Sequence, residues 1–176
     1  MRAVRMFFSL VVLLIPSSNT FSQTMPEVGT KAPDFNLQDA LGNSYTLSDY
    51  IGKSPVVIYF YPQAGTSGCT KQACGIRDKW SKFEKSNIMV FGISVDSKEA
   101  IQKFINDYHL NFPLLSDANR EVSKKYGVAR DGGGDKRVTF IVDMKGMISQ
   151  IINVTNIAAH SELVYEAAST LLPQSN

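Results

Sequence analysis

Cys69 and Cys74 are the only two cysteines in the chain, and both fall in one stretch that changes character along its length. Tyr59-Phe60-Tyr61 ends an apolar run. Pro62-Gln63-Ala64-Gly65-Thr66-Ser67-Gly68 is a loop of mostly small residues, and from Cys69 onward the apolar positions Cys69, Ala73, Ile76, Trp80 and Phe83 recur at helical steps. A cysteine in the first turn of a helix faces backbone N–H groups that have no partner inside the helix, and it sits at the positive end of the helix dipole. Both stabilise a thiolate. Cys69 is therefore placed to be a nucleophile.

Two cysteines in an exported chain can also form a permanent staple. The spacing argues against that here. On an intact helix five residues give about 7.5 Å of rise and about 140° of rotation, which sets the two Cα atoms roughly 8.5–9 Å apart. A disulfide does not close when its Cα atoms are more than about 7 Å apart. A Cys69–Cys74 bond requires the first turns to unwind, which suits a transient disulfide better than a structural one.

The elements that position this stretch are readable from pattern. Val56 to Tyr61 is a continuous apolar, β-branched run and is expected to be a central strand buried on both faces, followed by a helix over 69–84. Ile88 to Val95 is a second buried strand. Ser97 caps a helix with Ala100, Ile101, Phe104, Ile105 and Tyr108 on its apolar face. Upstream, Pro26 to Pro33 reads as an extended arm, Phe35 to Gln38 as a short edge strand, and Thr46 to Tyr50 as one helical turn. Downstream come an extended Phe112 to Leu115, a helix over 119–126 ended by Gly127, two strands (138–142 and 147–154) joined by an Asp143–Gly146 hairpin turn, and a closing helix over 161–172. Strands alternating with helices, then a hairpin and a final helix, predict an α/β thioredoxin-like fold with a mixed central β-sheet flanked by helices.

The chain begins with basic Met-Arg-Ala-Val-Arg, an apolar run from Met6 to Ile15, and a small polar stretch to Ser22. This reads as a signal peptide over residues 1–22, with a single domain over 23–176 and export to the periplasm or the extracellular space. The apolar run is half of the roughly 20 residues a spanning helix needs, so no stable membrane insertion is expected after cleavage. Of 18 basic residues, Arg2 and Arg5 fall in the leader; the 16 that remain balance 16 acidic ones. A formally neutral mature protein gives no basic surface for nucleic acid and points to a small, weakly charged substrate. With 44% hydrophobic and 19% charged residues, the composition excludes disordered and fibrous classes.

Pro62-Gln63-Ala64-Gly65-Thr66-Ser67-Gly68-Cys69 resembles the Pro-x-x-x-Thr-x-x-Cys signature of peroxiredoxins, and a second cysteine five places on is similar to their bacterioferritin comigratory protein, or peroxiredoxin Q, branch. The resemblance continues through Pro33-Asp34-Phe35, Gly92-Ile93-Ser94-Val95-Asp96, Phe112 to Asp117, Tyr126-Gly127-Val128 and Arg137-Val138-Thr139-Phe140. It implies a peroxidase that reduces hydrogen peroxide and organic hydroperoxides, with Cys69 peroxidatic and Cys74 resolving. Thr66 would hydrogen-bond the attacked peroxide, Pro62 would shield the thiolate, and Arg137 would hold thiolate and peroxide by charge. It also implies recycling by an external thioredoxin-like dithiol, a role in antioxidant defence, and a monomer. Standing alone, Pro62 could be only a strand end, Thr66 a turn residue and Arg137 a surface charge. The sequence departs from the family pattern at Gly65 and Ser67, which predicts a looser loop, and in the glycine-rich Asp131–Asp135 loop, which could be a mobile flap or a plain surface turn.

No cofactor or metal is implied. Zinc takes about four ligands, and two cysteines with the distant His109 and His160 form no recognisable set; each histidine reads as a surface or packed residue. Two other functions fit the pattern less well. A thiol–disulfide oxidoreductase of the thioredoxin type needs Cys-x-x-Cys, and this spacing is Cys-x-x-x-x-Cys. An inert exported domain stapled by its two cysteines would show no loss of thiols on exposure to peroxide.

Overall fold

The computed structural model describes residues 24–173; the expected leader lies outside them. Seven strands, β1 (Asn36–Asp39), β2 (Ser44–Thr46), β3 (Val56–Phe60), β4 (Met89–Ser94), β5 (Leu114–Ser116), β6 (Val138–Val142) and β7 (Ile148–Asn153), make one mixed sheet in the order β2-β1-β5-β4-β3-β6-β7. The helices are α1 (Ser67–Lys85), α2 (Lys98–Tyr108), α3 (Glu121–Lys125) and α4 (His160–Ser169), with a 3-10 turn at Leu47–Tyr50. β3 pairs in parallel with β4 and antiparallel with β6, so it lies between the two halves of the sheet. Every residue of β3 is buried, as its uninterrupted apolar run requires.

Alternate β3 side chains feed two separate cores. Val56, Ile58 and Phe60 pack with Phe91, Phe140, Phe35, Tyr126 and Val122 on one face. Val57 and Tyr59 pack on the other with Val90, Ile141 and the inner sides of α1, α2 and α4. The inner side of α1 carries the periodic set Cys69, Ala73, Ile76 and Phe83, all buried, with Trp80 packed partly exposed beside them. Burying each of the large members contributes about 1.5–3 kcal/mol, so packing fixes which way Cys69 points.

Three departures from the sequence expectations have local causes. α1 starts at Ser67 and not at Cys69, because Thr66 already has the extended backbone of an N-cap (φ −71°, ψ 151°) while Ser67 and Gly68 carry no apolar signal. The segment after the Asp39–Asn43 turn forms β2 before the helical turn, and it pairs back on β1. The turn itself is organised by Asp39, whose carboxylate accepts from Leu41 N and Asn43 N at 2.9 Å each. The expected helix over 119–126 is cut to five residues, since Arg120 takes a left-handed backbone (φ 63°).

Candidate active site

Cys69 is the third residue of α1 and is 1% exposed, tucked against Tyr59, Tyr61 and Ala73 at the carboxyl end of β3. Both cysteines are free thiols; Cys74 is half-buried further along the same unbroken helix. The first turn of α1 leaves the Cys69 backbone N–H without an intrahelical acceptor, as the position predicts. Arg137, the residue before β6, donates from Nη2 to Cys69 Sγ at 3.3 Å. Because β6 lies against β3 in fixed register, with Phe60 opposite Val138, the guanidinium and the sulfur are delivered by neighbouring strand ends.

Of the five residues singled out from sequence, Cys69 and Arg137 are in direct contact. Pro62 and Thr66 lie on the loop that leads into α1, and both line a depression of about 340 Å³ with Gln63, Val95, Asp96 and the glycine-rich loop. Thr66 is exposed, and its hydroxyl donates to Gln63 O at 3.0 Å. Cys74 stands apart within α1. The loop expected to be loose is tied: Ala64 N donates to Asp96 Oδ2 at 2.7 Å, and Asp96 in turn accepts from Ser94 Oγ at 2.8 Å. A side chain at Gly68 would crowd the guanidinium, since a Cβ there would lie 3.2 Å from Arg137 Nη2 and 3.3 Å from Ile157 Cδ1.

The glycine-rich loop before Arg137 is not a plain surface turn at its far end. Gly134 has φ +66°, and a Cβ on it would come within 2.6 Å of the Pro62 carbonyl oxygen. Next to it Asp135 is fully buried. Ser123 Oγ lies 2.6 Å from Asp117 Oδ2 and 3.0 Å from Asp135 Oδ2, so one hydroxyl hydrogen is offered to two carboxyl groups. Burial, reinforced by the Asp117 charge and opposed by the Ser123 hydrogen bond, pushes the Asp135 carboxyl up to about 7. A protonated Asp135 supplies the hydrogen that the pair lacks.

Stability follows from that proton. The unfolded carboxyl gives it up near its ordinary value of 3.8, the folded one only near about 7. Between those values the native state binds the extra proton, so this group's contribution is full near pH 4 and is lost as pH rises through about 7. The difference is on the order of 4 kcal/mol. Asp135→Asn, which carries no charge, is expected to melt several degrees higher than the wild type at about pH 8, with the gap closing at about pH 5. Thermal melts across that range check it; equal gaps at both pH values would remove the titration from the account.

Behind Arg137 the structure holds a set of polar side chains that sequence reasoning passed over. Arg137 Nη1 donates to Gln72 Oε1 in a short hydrogen bond. Gln72 Nε2 lies 3.3 Å from each ring nitrogen of His160, and His160 Nε2 lies 2.8 Å from Thr139 Oγ1. Gln72, His160 and Thr139 are all at most 1% exposed. Burial first, and the Arg137 charge second, lower the His160 ring to about 4, so it is neutral at ordinary pH. A glutamine on the buried side of α1 and a histidine opening α4 gave no periodic signal; only a half-buried arginine needing an acceptor could have pointed to them. Among the described residues no group of three or more His, Cys, Asp or Glu is arranged to hold a metal ion.

Comparison with known proteins accounts for this arrangement. Residues 28–151 match the AhpC/TSA family. The chloroplastic peroxiredoxin Q of Populus jackii is 42% identical over 146 residues, covering 80% of this chain and 68% of that protein. The crystal structure of peroxidoxin BcpB from Mycobacterium tuberculosis is 32% identical with a TM-score of 0.79, covering 85% of this chain and all of that one. A structure of the Xanthomonas campestris bacterioferritin comigratory protein, described for its alkyl peroxide reduction activity, is 25% identical with a TM-score of 0.75, covering 83% of this chain and 98% of that one. By these matches, in sequence and in the thioredoxin-like sheet, the chain belongs to the AhpC/TSA family, within its bacterioferritin comigratory protein/peroxiredoxin Q branch, and is a thiol-dependent peroxidase.

Proposed function

We propose that Cys69 reduces hydrogen peroxide and small organic hydroperoxides and that Cys74 resolves the product as an intramolecular disulfide. The observation that carries this is the Arg137 guanidinium 3.3 Å from a buried Cys69 sulfur in the first turn of a helix. A fixed cation and free backbone donors together favour the thiolate and the negative charge that develops on the peroxide. The Cys69 thiolate attacks one peroxide oxygen; the S–O bond forms as the O–O bond breaks, and the departing oxygen leaves as water or alcohol after taking up a proton. Thr66, whose hydroxyl can turn from Gln63 O toward the depression it lines, donates to the peroxide. Pro62 covers the approach, and Arg137 holds both reactants.

The first turns of α1 then unwind and Cys74 attacks the sulfenic sulfur, forming S–S as S–O breaks and water leaves. The two electrons come from the two thiols. An external dithiol of the thioredoxin type returns them, and the cycle serves antioxidant defence. The leader over residues 1–22 supports export, so the dithiol must act outside the cytoplasm, on a monomer. Titrating the reduced mature protein with hydrogen peroxide tests the cycle. One equivalent of peroxide should remove both thiols and leave an internal Cys69–Cys74 bond in the peptide map. Thiol loss no faster than that of an exposed model thiol would end the peroxidase assignment for Cys69.

A further inference from the structure

Resting on the peroxidase reading of Cys69, we propose that His160 is a positioning residue: its ring holds the Gln72 side-chain amide in the one orientation that keeps the Arg137 guanidinium against the Cys69 sulfur. A guanidinium only donates, so Gln72 must turn its oxygen to Arg137 and its NH₂ the other way. The NH₂ then faces inward over the neutral His160 ring: equidistant at 3.3 Å from both ring nitrogens, it lies above the ring face, where its N–H groups meet π electrons that would repel a carbonyl oxygen. The ring is held in turn by Thr139 Oγ1 at 2.8 Å and by the edge of Tyr59, whose ring centroid is 5.8 Å away.

An amide is nearly symmetric in shape, so without the ring nothing steric would stop it from rotating. Turned over, it would present NH₂ to the guanidinium, two donors facing each other. His160 thereby gives Gln72 a direction. The three members come from three elements: Gln72 from α1, His160 from α4 and Thr139 from β6. All are buried, and a buried polar group without a partner costs about 1–3 kcal/mol. A chain of such groups that ends on the one cation touching Cys69 acts on that cation's position. None of the three touches the sulfur in the structure, so the effect on Cys69 passes through Arg137.

The test is a double-mutant cycle read on the Cys69 thiol. His160→Leu is expected to slow both the alkylation of Cys69 by iodoacetamide and its oxidation by hydrogen peroxide about tenfold. Gln72→Glu replaces the amide with a group that has two acceptor oxygens and therefore no wrong orientation toward Arg137. In that background, adding His160→Leu should change the two rates less than about twofold. His160→Asn, which can still accept from the Gln72 amide, should recover most of the loss. If His160→Leu slows oxidation equally with Gln72 and with Glu at position 72, the effect is general destabilisation and the positioning role is overturned. Should His160→Leu not fold, Thr139→Val, which removes only the hydroxyl that steadies the ring, is put through the same cycle with the same two readings. A wild-type Cys69 that ignores peroxide would instead sink the peroxidase reading, a different result from a flat cycle on a reactive wild type.

Discussion

Cys69→Ser is expected to consume no peroxide above background, while Cys74→Ser is expected to complete the first oxidation at the wild-type rate and then stop with Cys69 as a sulfenic acid. This split is the largest effect expected anywhere in the molecule, because in the proposed cycle the two cysteines act in different bonds. A serine hydroxyl at position 69 is not ionised near neutral pH, so neither the helix N-terminus nor Arg137 has an anion to stabilise. In the proposed cycle Cys74 does not enter until oxygen is on Cys69. Its half-buried place within the intact helix keeps it from the first step. Stopped-flow peroxide consumption with mass measurement separates the outcomes: a slow first oxidation in Cys74→Ser would mean that Cys74, and not only Cys69, shapes the reactive thiol.

Arg137→Met is expected to slow peroxide reduction by about 10²–10³-fold, the range for losing one preorganised donor at a developing anion. Methionine keeps an unbranched apolar stem against α1 and drops the charge. Arg137 makes two contacts at once, Nη2 to Cys69 Sγ and Nη1 to Gln72 Oε1. A lysine has a single point of charge and cannot reproduce that fork, so Arg137→Lys should recover only about tenfold of the loss. Single-turnover oxidation of both variants, alongside their melting curves, checks this. A methionine variant within about threefold of wild type would show that the helix terminus alone activates Cys69.

The strands and helices were legible because their signals are periodic. β3 announces itself as six β-branched and aromatic residues in a row, and α1 by apolar steps that end at Phe83; in both cases the structure buries those side chains. The pairing of Cys69 with Arg137 across 68 residues was legible only through the family motif, since nothing in composition brings one arginine of many to one sulfur. Gln72 and His160 were not legible at all. Their burial depends on how α4 packs on α1, a tertiary fact, and a lone histidine carries no pattern. The anchoring of the loop at Ala64 was missed for a similar reason: Gly65 and Ser67 signal freedom, while the restraint comes from Asp96 on a different strand end. β2 was hidden because three residues are too few for alternation to show.

α1 is fastened in two places. Its leading turns are held through Cys69 and Gln72 to Arg137. From Arg77 onward it is tied again: Arg77 Nη1 donates to Tyr108 O at 2.6 Å, Lys79 and Lys82 pair with Glu162 at 2.6 and 2.9 Å, and Ser86 meets the Tyr165 hydroxyl at 2.9 Å. Both cysteines lie ahead of this second set of ties. In the proposed cycle a Cys69 sulfenic acid has two fates: capture by Cys74, or a meeting with a second peroxide that carries it to a sulfinic acid beyond ordinary thiol repair. Which comes first is a race between a segment peeling open and the arrival of oxidant. The ties at Arg77 and Glu162 confine the peeling to a short leading segment, and short local openings are cheaper and more frequent than large ones. On that proposal, loosening those distant surface fastenings is expected to change the dose of peroxide at which the protein is ruined by its own substrate.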